Sequence, residues 1–479
     1  LVFKSFFKNN LTYNIGNIFT LGIAIFLLPI YTKYLSPNEF GIMDLFMVIG
    51  TFINLTIALE ISQGLGRYYQ EAKNTSKKKE YTSSAFWFTF LVYLSFFFLS
   101  FLFSDTFSFF LLDDYGKKLI FLLAIFSIVT NGIFIFTQNQ LKWQIQPKQS
   151  VIASLVYFFV LASVTIYLLV YKDLKLESIF IGQISGNIIA SILAIFFARK
   201  SYGFIFRISR FKEMVLYSSP LVLSSIGIVL SMYIDRIVIK DLLGFDELGL
   251  YGVAFRFTAI SGFVILGFKQ SLTPLIFKNY KKKETPNEIS NIFNIFIIFA
   301  LIAVAGSILF AKEILIIFTT ETYYSSANLI AILVMAVFFH NMYIFAPGIL
   351  IAKKTKIVPL IAIIGALLNL ILNYVLIPSF GLLGAAYASL ISAISSFLFY
   401  LFLSNKYYKL PYQYILQLVS FSIVLIFSYV VISIFDEVNL KTIIIKIITL
   451  MFLILSISFI LIEKKIKKKY IEIYKKGIS

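Results

Sequence analysis

The chain has 479 residues, of which 59% are hydrophobic and 14% are charged. Soluble proteins carry about 25% charged residues, so this composition excludes an ordinary water-soluble protein. The sequence contains no cysteine and a single histidine, which excludes disulfides, thiolate metal sites and paired-histidine metal sites within it. We therefore expect no metal and no other cofactor. The formal charge of +19 is explained below by its distribution along the chain, so nucleic acid is not an expected partner.

Apolar stretches of about 20 residues recur along the chain, which is the length that crosses a hydrocarbon core roughly 30 Å thick. The runs 292–310 and 443–462 are apolar on all sides and too long for a strand of a β-barrel. The sequence therefore predicts an all-α polytopic membrane protein with about fourteen transmembrane helices. We place them near residues 11–31, 40–59, 83–103, 118–138, 150–171, 177–198, 214–238, 249–268, 290–310, 328–347, 357–377, 381–404, 413–434 and 441–463. The first lacks a small-residue cleavage site, which favours a retained helix over a signal peptide.

Lysine and arginine alternate between successive connections. The N-terminus, the even-numbered loops and the C-terminal tail contain 31 of the 42 basic residues, whereas the odd-numbered loops and adjoining helix ends contain 10. An excess of basic residues marks the cytoplasmic side of a membrane. This pattern predicts that both termini are cytoplasmic, together with the loops 60–82, 199–213 and 269–289. The outer connections are short, so we expect no soluble domain among them.

A short repeat relates the two halves at an offset of 208 residues. The segment 35–42 (LSPNEFGI) resembles 243–250 (LGFDELGL), and Lys148 and Lys356 share the same offset. Both copies of the segment follow an outward-going helix, so the repeat is parallel and relates helices one to six to helices seven to twelve. Two pseudo-symmetric lobes are typical of carriers with a central pathway. We predict an N-terminal lobe at 1–200, a C-terminal lobe at 201–408, and helices thirteen and fourteen with a basic tail at 409–479.

Ionisable residues inside membrane segments are costly, and they usually face a cavity or a partner. Asp44 lies about one turn into the second predicted helix. Asp235 and Arg236 lie in the outer half of the seventh, with Lys240 after them, and Arg256 lies about two turns into the eighth. Arg256 and Asp235 share a depth of roughly 10 Å below the outer surface. Either these residues form a cationic patch that binds an anionic substrate, with Arg256 as its main donor, or Asp235 and Arg256 form an ion pair that locks two helices.

Two further groups of residues are candidates for a role inside the membrane. Histidine as a residue type titrates near neutral pH, so His340 in the tenth predicted helix is a candidate carrier of a coupling proton. Asp44 is a second candidate, and a neutral hydrogen-bonding group between helices is the alternative for His340. Small and amide side chains at helical spacing allow close backbone approach and hydrogen bonds between helices. This second pattern indicates a helix-packing role for Asn369, Asn373, Gly381 and Gly384.

Several motifs resemble one family. The segment from Asn369 through Pro378 to the run 381–389 (GLLGAAYAS) resembles the strongest motif of the MOP flippase superfamily. The stretch 14–41 is similar to the start of a Wzx-type polysaccharide flippase, and the Asp-Arg pair at 235–236 with 244–252 matches the same family's mid-chain pattern. The chain is thus identified as resembling Wzx-type flippases of O-antigen, capsule or exopolysaccharide repeat units.

The resemblance implies a carrier that moves an oligosaccharide on undecaprenyl pyrophosphate from the cytoplasmic to the periplasmic face of the bacterial inner membrane. It implies alternating access between two lobes, driven by a proton or sodium gradient. The family's cationic cavity maps onto Arg256 and Arg236, with Asp235, Asp44 and Lys240 beside them. Membrane lipids, a polysaccharide polymerase and a chain-length regulator are the expected partners.

Three other functions remain open at this point. A lipid II flippase has a basic first helix, whereas the first helix here carries no arginine. A cation-coupled multidrug exporter of the same superfamily would need acidic cavity residues, for which Asp44 is the candidate. A membrane glycan polymerase or ligase needs catalytic groups on a sizeable outer loop, and the predicted outer loops are short. We therefore expect a transporter, not an enzyme.

Overall fold

The structure is a computed structural model that describes residues 26–259, 280–435 and 437–461, together with part of the segment 260–279. Within these ranges the regular secondary structure is helical, and no described residue lies in a β-strand. The prediction of an all-α polytopic membrane protein is confirmed. The N-terminal 25 residues and the basic tail lie outside the described residues.

Residues 26–34 are helical and precede sixteen α-helices that we number in chain order. In the first half these are α1 (Pro37–Thr56), α2 (Ile61–Glu71), α3 (Thr75–Leu102), α4 (Ser104–Leu112), α5 (Lys118–Trp143), α6 (Pro147–Tyr171), α7 (Leu176–Phe197), α8 (Ile208–Leu243) and α9 (Phe245–Phe257). In the second half they are α10 (Thr285–Phe318), α11 (Ala327–Asn341), α12 (Gly348–Ile351), α13 (Ile357–Phe380), α14 (Leu382–Asn405), α15 (Tyr414–Ile434) and α16 (Leu440–Leu461).

Eleven helical segments of the described ranges are long and apolar enough to cross a membrane, and the bent helix α8 makes a twelfth. These twelve correspond to the predicted helices two to seven and nine to fourteen. The predicted helices near 11–31 and 249–268 lie partly outside the described residues. The total of fourteen helices and the cytoplasmic placement of both termini therefore stay predictions.

Two of the predicted connections contain helices of their own. The inner connection after α1 contains α2, whose residues Ile61, Leu65 and Tyr69 are buried while its polar side faces outward. The outer connection near 104–117 contains the short helix α4. A search for apolar windows of transmembrane length does not detect these short helices, because each of them buries only one narrow face.

The described residues form two compact units. The first contains those up to Lys240 together with Gly244–Gly249, and the second contains Asp241–Leu243 and those from Leu250 onward. Helix α8 thus packs mainly with the helices that precede it. The predicted lobes at 1–200 and 201–408 rest on the sequence repeat and stay a prediction.

In the first unit, a chain of polar side chains crosses the helix bundle. The hydroxyl of Tyr93 donates to Asn54 (2.8 Å), the amide of Asn54 donates to Asn131 (2.9 Å), and that of Asn131 donates to Asn187 (3.4 Å). These contacts connect α3, α1, α5 and α7. Amides that satisfy one another in this way hold apolar helices in one register.

Helix α8 bends by 52° between Gly227 and Met232. Its first half packs against the break between α1 and α2, where Leu59 and Glu60 adopt left-handed backbone conformations with φ of 51° and 50°. Ser218 donates to the carbonyl of Leu59 (2.7 Å), and a second serine in α8 donates to the Glu60 carboxylate at the same distance. Side-chain hydrogen bonds from α8 thus stabilise the strained backbone between α1 and α2.

In the second unit, α16 is fixed to α10 by a buried ion pair. Lys446 Nζ lies 2.5 Å from the Glu313 carboxylate, and the two side chains are 2% and 8% exposed. The sequence had placed Glu313 in an outer loop beyond a helix ending near residue 310. Instead α10 continues to Phe318, since the lysine of α16 neutralises a carboxylate that apolar surroundings would otherwise disfavour.

We expect Lys446→Ala to destabilise the protein by about 3–5 kcal/mol, because it leaves the Glu313 carboxylate buried without its cation. The double variant Glu313→Leu/Lys446→Met removes both charges and should recover most of that loss. Thermal unfolding of the purified protein in detergent measures both. Equal stabilities for the single and double variants would contradict the buried pair.

Candidate functional site

Asp44, Asp235 and Arg236 form a buried charged cluster in the first unit. The Arg236 guanidinium lies 2.7 Å from the Asp235 carboxylate and 3.5 Å from that of Asp44. It also donates to the carbonyl of Met232 (3.1 Å) and lies 5.1 Å from the centroid of the Tyr233 ring. The side chain of Arg236 is 1% exposed. We call these three residues the charged cluster.

The elements that build the charged cluster are α1 and the outer half of α8. Because α1 begins at Pro37, with a capping box formed by Ser36 and Glu39, Asp44 lies two turns into the helix, one turn deeper than the sequence suggested. Asp235 and Arg236 are adjacent on α8, where neighbouring side chains do not normally face each other. The arginine therefore has to fold back along its own helix, towards Asp235 and Met232.

The charge balance of the cluster bears on its predicted role in substrate binding. Two carboxylates surround one guanidinium, so the formal charge is −1 when all three groups are ionised. An arginine that is buried between two carboxylates does not present its donors to an anionic ligand in this conformation. The pairing of Asp44 with Arg236 was not anticipated from the sequence, which had weighed Arg256 as the partner of Asp235.

Lys240 lies one turn further along α8 and pairs with a carboxylate outside the charged cluster. Its Nζ is 2.9 Å from the carboxylate of Asp113, and the two side chains are 13% and 66% exposed. The ammonium group also lies 5.7 Å from the centroid of the Phe245 ring. Lys240 is therefore near the charged cluster in sequence, but it belongs to a more exposed pair.

Arg256 lies in the second unit, on α9, and is half-buried. Because α9 begins at Phe245, Arg256 lies about 16 Å along the helix from its first residue, at 1.5 Å per residue. That position is one turn deeper than the sequence suggested. Asp235 belongs to the first unit, so the predicted pair between Asp235 and Arg256 stays a prediction.

His340 is half-buried near the end of α11, in the second unit. Its neighbour Asn341 accepts a hydrogen bond from Lys269 Nζ (2.9 Å) and donates to the carbonyl of Val337 (2.8 Å). Lys269 also lies 5.1 Å from the centroid of the Tyr343 ring. The sequence had suggested a lysine at a cytoplasmic helix end, and the structure brings this lysine to the residue beside His340.

The four residues assigned to helix packing meet in the hairpin of α13 and α14. The amide of Asn369 donates to Ser392 (3.0 Å), and that of Asn373 donates to the Asn369 side chain (2.8 Å). Gly381 joins the two helices with φ of +58°, a left-handed conformation that favours glycine. A Cβ atom at Gly384 would overlap the carbonyl oxygen of Leu376. Asn369 and Gly384 thus lie at the contact between the two helices.

None of the described residues form a group of three or more histidine, cysteine, aspartate or glutamate side chains that could hold a metal ion. The described charged residues of the site form ion pairs with one another.

The model of a family of polysaccharide biosynthesis proteins matches residues 6–280, more than half of the chain. The chain belongs to this family. The MatE family model also matches, over residues 220–375. The resemblance to Wzx-type flippases of the MOP superfamily that the sequence motifs indicated is confirmed.

Curated relatives of this polysaccharide biosynthesis protein carry transport names. A probable low-salt glycan biosynthesis flippase of Haloferax volcanii is 29% identical over 212 residues, which are 42% of this chain and 44% of the relative. A putative O-antigen transporter of Shigella flexneri is 23% identical over 222 residues, which are 45% of this chain and 53% of the relative. The chain thus spans about half the length of the curated relatives it matches.

Solved membrane transporters share the fold of this family member. The lipid II flippase MurJ in an inward closed conformation superposes with a TM-score of 0.74 at 18% identity, covering 93% of this chain and 97% of that one. An inward-facing multidrug resistance MATE family transporter of the MOP superfamily gives a TM-score of 0.63 at 14% identity, covering 81% and 93%. At these identities the likeness is one of fold.

Variants of Arg236 and Lys240 should differ in stability, because only Arg236 belongs to the charged cluster. Arg236→Ala leaves two buried carboxylates without their cation and should lower stability by about 3–5 kcal/mol. The triple variant Asp44→Asn/Asp235→Asn/Arg236→Met should be more stable than Arg236→Ala. Lys240→Ala is the matched control on the same helix: its partner is exposed, so the loss should stay within about 1 kcal/mol. If thermal unfolding in detergent shows that Lys240→Ala is less stable than Arg236→Ala, the result would contradict the charged cluster.

Proposed function

We propose that this protein is a flippase that moves an oligosaccharide linked to undecaprenyl pyrophosphate from the cytoplasmic to the outer face of the membrane. The observation that carries the proposal is the family match over residues 6–280, in a chain whose described helices include eleven or twelve apolar spans. The names of the two curated relatives, a glycan biosynthesis flippase and an O-antigen transporter, support a lipid-linked glycan as the substrate. They point to a transporter and away from an enzyme.

Alternating access is the mechanism that we propose for this movement. The lipid tail stays in the bilayer while the polar glycan crosses within the protein, so no sugar hydroxyl has to enter hydrocarbon. The pyrophosphate needs a cationic partner on the way. Arginine suits this role because its planar fork matches phosphate oxygens in a bidentate manner.

Arg256 is the residue to which we assign the pyrophosphate. It is half-buried and lies three turns into α9, whereas Arg236 is held between Asp44 and Asp235. We therefore propose that Arg256 makes the direct contact, that Arg236 and Lys240 add positive charge along the path of the pyrophosphate, and that Asp44 and Asp235 hold Arg236 in place.

We further propose that the protein works in the bacterial inner membrane, and that it passes its substrate to a polysaccharide polymerase whose products a chain-length regulator controls. A flipped repeat unit is an intermediate that a polymerising enzyme at the outer face must consume. Membrane lipids are further partners that we propose, because the outer surface of a multi-pass protein is in contact with them.

A proton or sodium gradient is the proposed driving force, and His340 and Asp44 are the proposed carriers. His340→Gln keeps a hydrogen-bonding side chain but removes the imidazole, which can accept and release a proton. If His340 carries the coupling proton, this variant should lose gradient-driven transport while it still binds substrate. Transport by membrane vesicles at two external pH values measures this. Unchanged pH dependence in His340→Gln would assign the histidine to packing.

A cation-coupled multidrug exporter is the second candidate, and the MatE match over residues 220–375 is the observation that favours it. The buried carboxylates of the charged cluster, with their formal excess of negative charge, suit a cationic drug better than a pyrophosphate. Drug resistance conferred on a sensitive host, without complementation of a glycan flippase defect, would select this candidate.

The test of the proposed function is complementation of a strain that lacks its own glycan flippase. Arg256→Ala should abolish surface glycan while the protein still reaches the membrane, because the pyrophosphate loses its donor. Arg256→Lys should restore glycan only in part, since lysine keeps the charge but not the bidentate fork. Arg256→Ala with wild-type glycan levels would contradict the assignment, and an inactive wild-type chain would contradict the function.

A further inference from the structure

A cavity of about 300 Å³ lies in the first unit, between the end of α7 and the connection that joins α5 to α6. The side chains that line it include two basic, two amide and two aromatic ones: Arg199, Lys200, Gln144, Gln146, Phe196 and Phe197. Among the described residues that line this cavity there is no acid. We call the cavity the basic pocket.

Hydrogen bonds between side chains fix the amide wall of the basic pocket. The amide of Gln146 donates to the side-chain oxygen of Gln144 (2.8 Å), and the amide of Gln144 donates to the Ser201 hydroxyl (2.8 Å). These bonds tie the connection after α5 to the turn after α7. Each side-chain amide carries two N–H donors, and each of these bonds uses one. The wall therefore has neutral donors to offer to an acceptor in the pocket.

The basic wall of the pocket suits an anion with several oxygens. The Arg199 guanidinium lies over the ring of Phe196, 4.5 Å from its centroid. An arginine that stacks in this way uses its flat face and keeps the N–H donors of its edge, which match phosphate oxygens in a bidentate manner. Lys200 adds a second positive charge. In contrast to the charged cluster, where carboxylates enclose Arg236, the lining of the basic pocket has a formal charge of +2.

The size of the basic pocket limits its ligand. Sites for small molecules have volumes of roughly 300–1,000 Å³, and this cavity is at the lower end of that range. It suits a single phosphate headgroup better than an oligosaccharide.

An exposed apolar stripe on α7 leads to the basic pocket. Ile189, Ile192 and Phe196 are exposed, and their spacing of three and four residues places them on one face of the helix. Arg199 follows three residues after Phe196 and continues the same face. The stripe is about 10 Å long, so an acyl chain can lie along it while the phosphate of the same molecule contacts Arg199. A soluble phosphate makes no use of the stripe, which therefore favours a lipid.

The predicted topology places the basic pocket in contact with anionic lipid. The connection between α5 and α6 and the residues after α7 belong to the basic loops that are predicted to be cytoplasmic. The cytoplasmic leaflet contains anionic lipids that attract basic side chains. Topology alone explains basic residues at this face, but it requires no cavity.

We propose that the basic pocket binds the phosphate headgroup of an anionic phospholipid of the inner leaflet, with Arg199 and Lys200 as its cations. This lipid is bound at a defined site, and its binding does not depend on the glycan transport proposed above.

Tryptophan fluorescence tests the basic pocket, because Trp143 directly precedes Gln144 and the sequence contains only one other tryptophan, Trp87. In a Trp87→Phe background and in phosphatidylcholine vesicles, brominated phosphatidylglycerol should quench Trp143 more strongly than the same fraction of brominated phosphatidylcholine. The variant Arg199→Gln/Lys200→Gln should weaken the apparent affinity for phosphatidylglycerol about tenfold, since it removes charged hydrogen bonds to the phosphate. Equal quenching of the unsubstituted pocket by the two brominated lipids would overturn the proposal.

The matched control is Lys73→Gln/Lys77→Gln. It removes two exposed lysines of the first unit that lie in a predicted cytoplasmic loop but do not line the pocket. This variant should keep the preference for phosphatidylglycerol, as should Arg199→Lys/Lys200→Arg, which conserves the charge of the pocket. Equal losses of the preference in Lys73→Gln/Lys77→Gln and Arg199→Gln/Lys200→Gln would show a general attraction of the basic face and overturn the site.

A second measurement separates a lipid headgroup from a soluble phosphate. In detergent, phosphatidylglycerol should raise the unfolding temperature of the wild-type protein, and Arg199→Gln/Lys200→Gln should remove that rise. Sodium phosphate should have no effect beyond that of sodium chloride at the same ionic strength. Stabilisation of the wild-type protein by sodium phosphate that Arg199→Gln/Lys200→Gln abolishes would assign the pocket to a soluble anion and overturn the lipid site.

Discussion

The cost of an ionised side chain inside hydrocarbon governs the arrangement of this protein. The described charges of the bundle interior occur in pairs or clusters: Glu313 with Lys446 in the second unit, and Asp44 and Asp235 with Arg236 in the first. A buried pair of this kind does little for net stability, yet the loss of one member is strongly destabilising. The pairs therefore fix which helices are neighbours, and this constraint positions α8 against α1 and α16 against α10.

Backbone approach is the second constraint, and it acts in two places. In the hairpin of α13 and α14, Gly384 lets two helices meet, and a buried hydrogen bond from Asn369 to Ser392 joins them. Between α1 and α9, at Gly41 and Gly249, the approach is as close, and one exposed hydrogen bond from Asn38 to Asp246 accompanies it. Small residues thus allow close backbone contact at both places.

The proposed function has to meet the first of these constraints. The polar glycan and the anionic pyrophosphate of the proposed substrate have to cross a helix bundle in which the buried acidic residues Asp44, Asp235 and Glu313 are already paired. A half-buried arginine such as Arg256 is the kind of group that can exchange its surroundings for a phosphate, whereas Arg236 is enclosed by carboxylates.

The sequence identified most charged residues of the candidate site, but it did not identify which of them contact each other. Asp44, Asp235, Arg236 and Lys240 stand out because charges inside apolar segments are rare. Their partners depend on which helices touch and on how a long side chain folds back along its own helix. In the structure Asp235 and Asp44 contact Arg236, and Lys240 contacts Asp113, whereas the predicted pair of Asp235 with Arg256 stays a prediction. Glu313 was missed because a charge near a helix end looks like a loop residue until its partner is known.

From the sequence alone it follows that the chain spans a membrane many times, where most of its long helices lie, and which family it resembles. These properties depend on local apolar length, on the distribution of lysine and arginine, and on contiguous motifs. Tertiary structure alone decided that the two copies of the repeat meet through Gly41 and Gly249, and that α10 extends to bury Glu313 against Lys446. Those contacts join residues more than 100 positions apart, so their energies arise only once the helices have packed, and no local pattern encodes them.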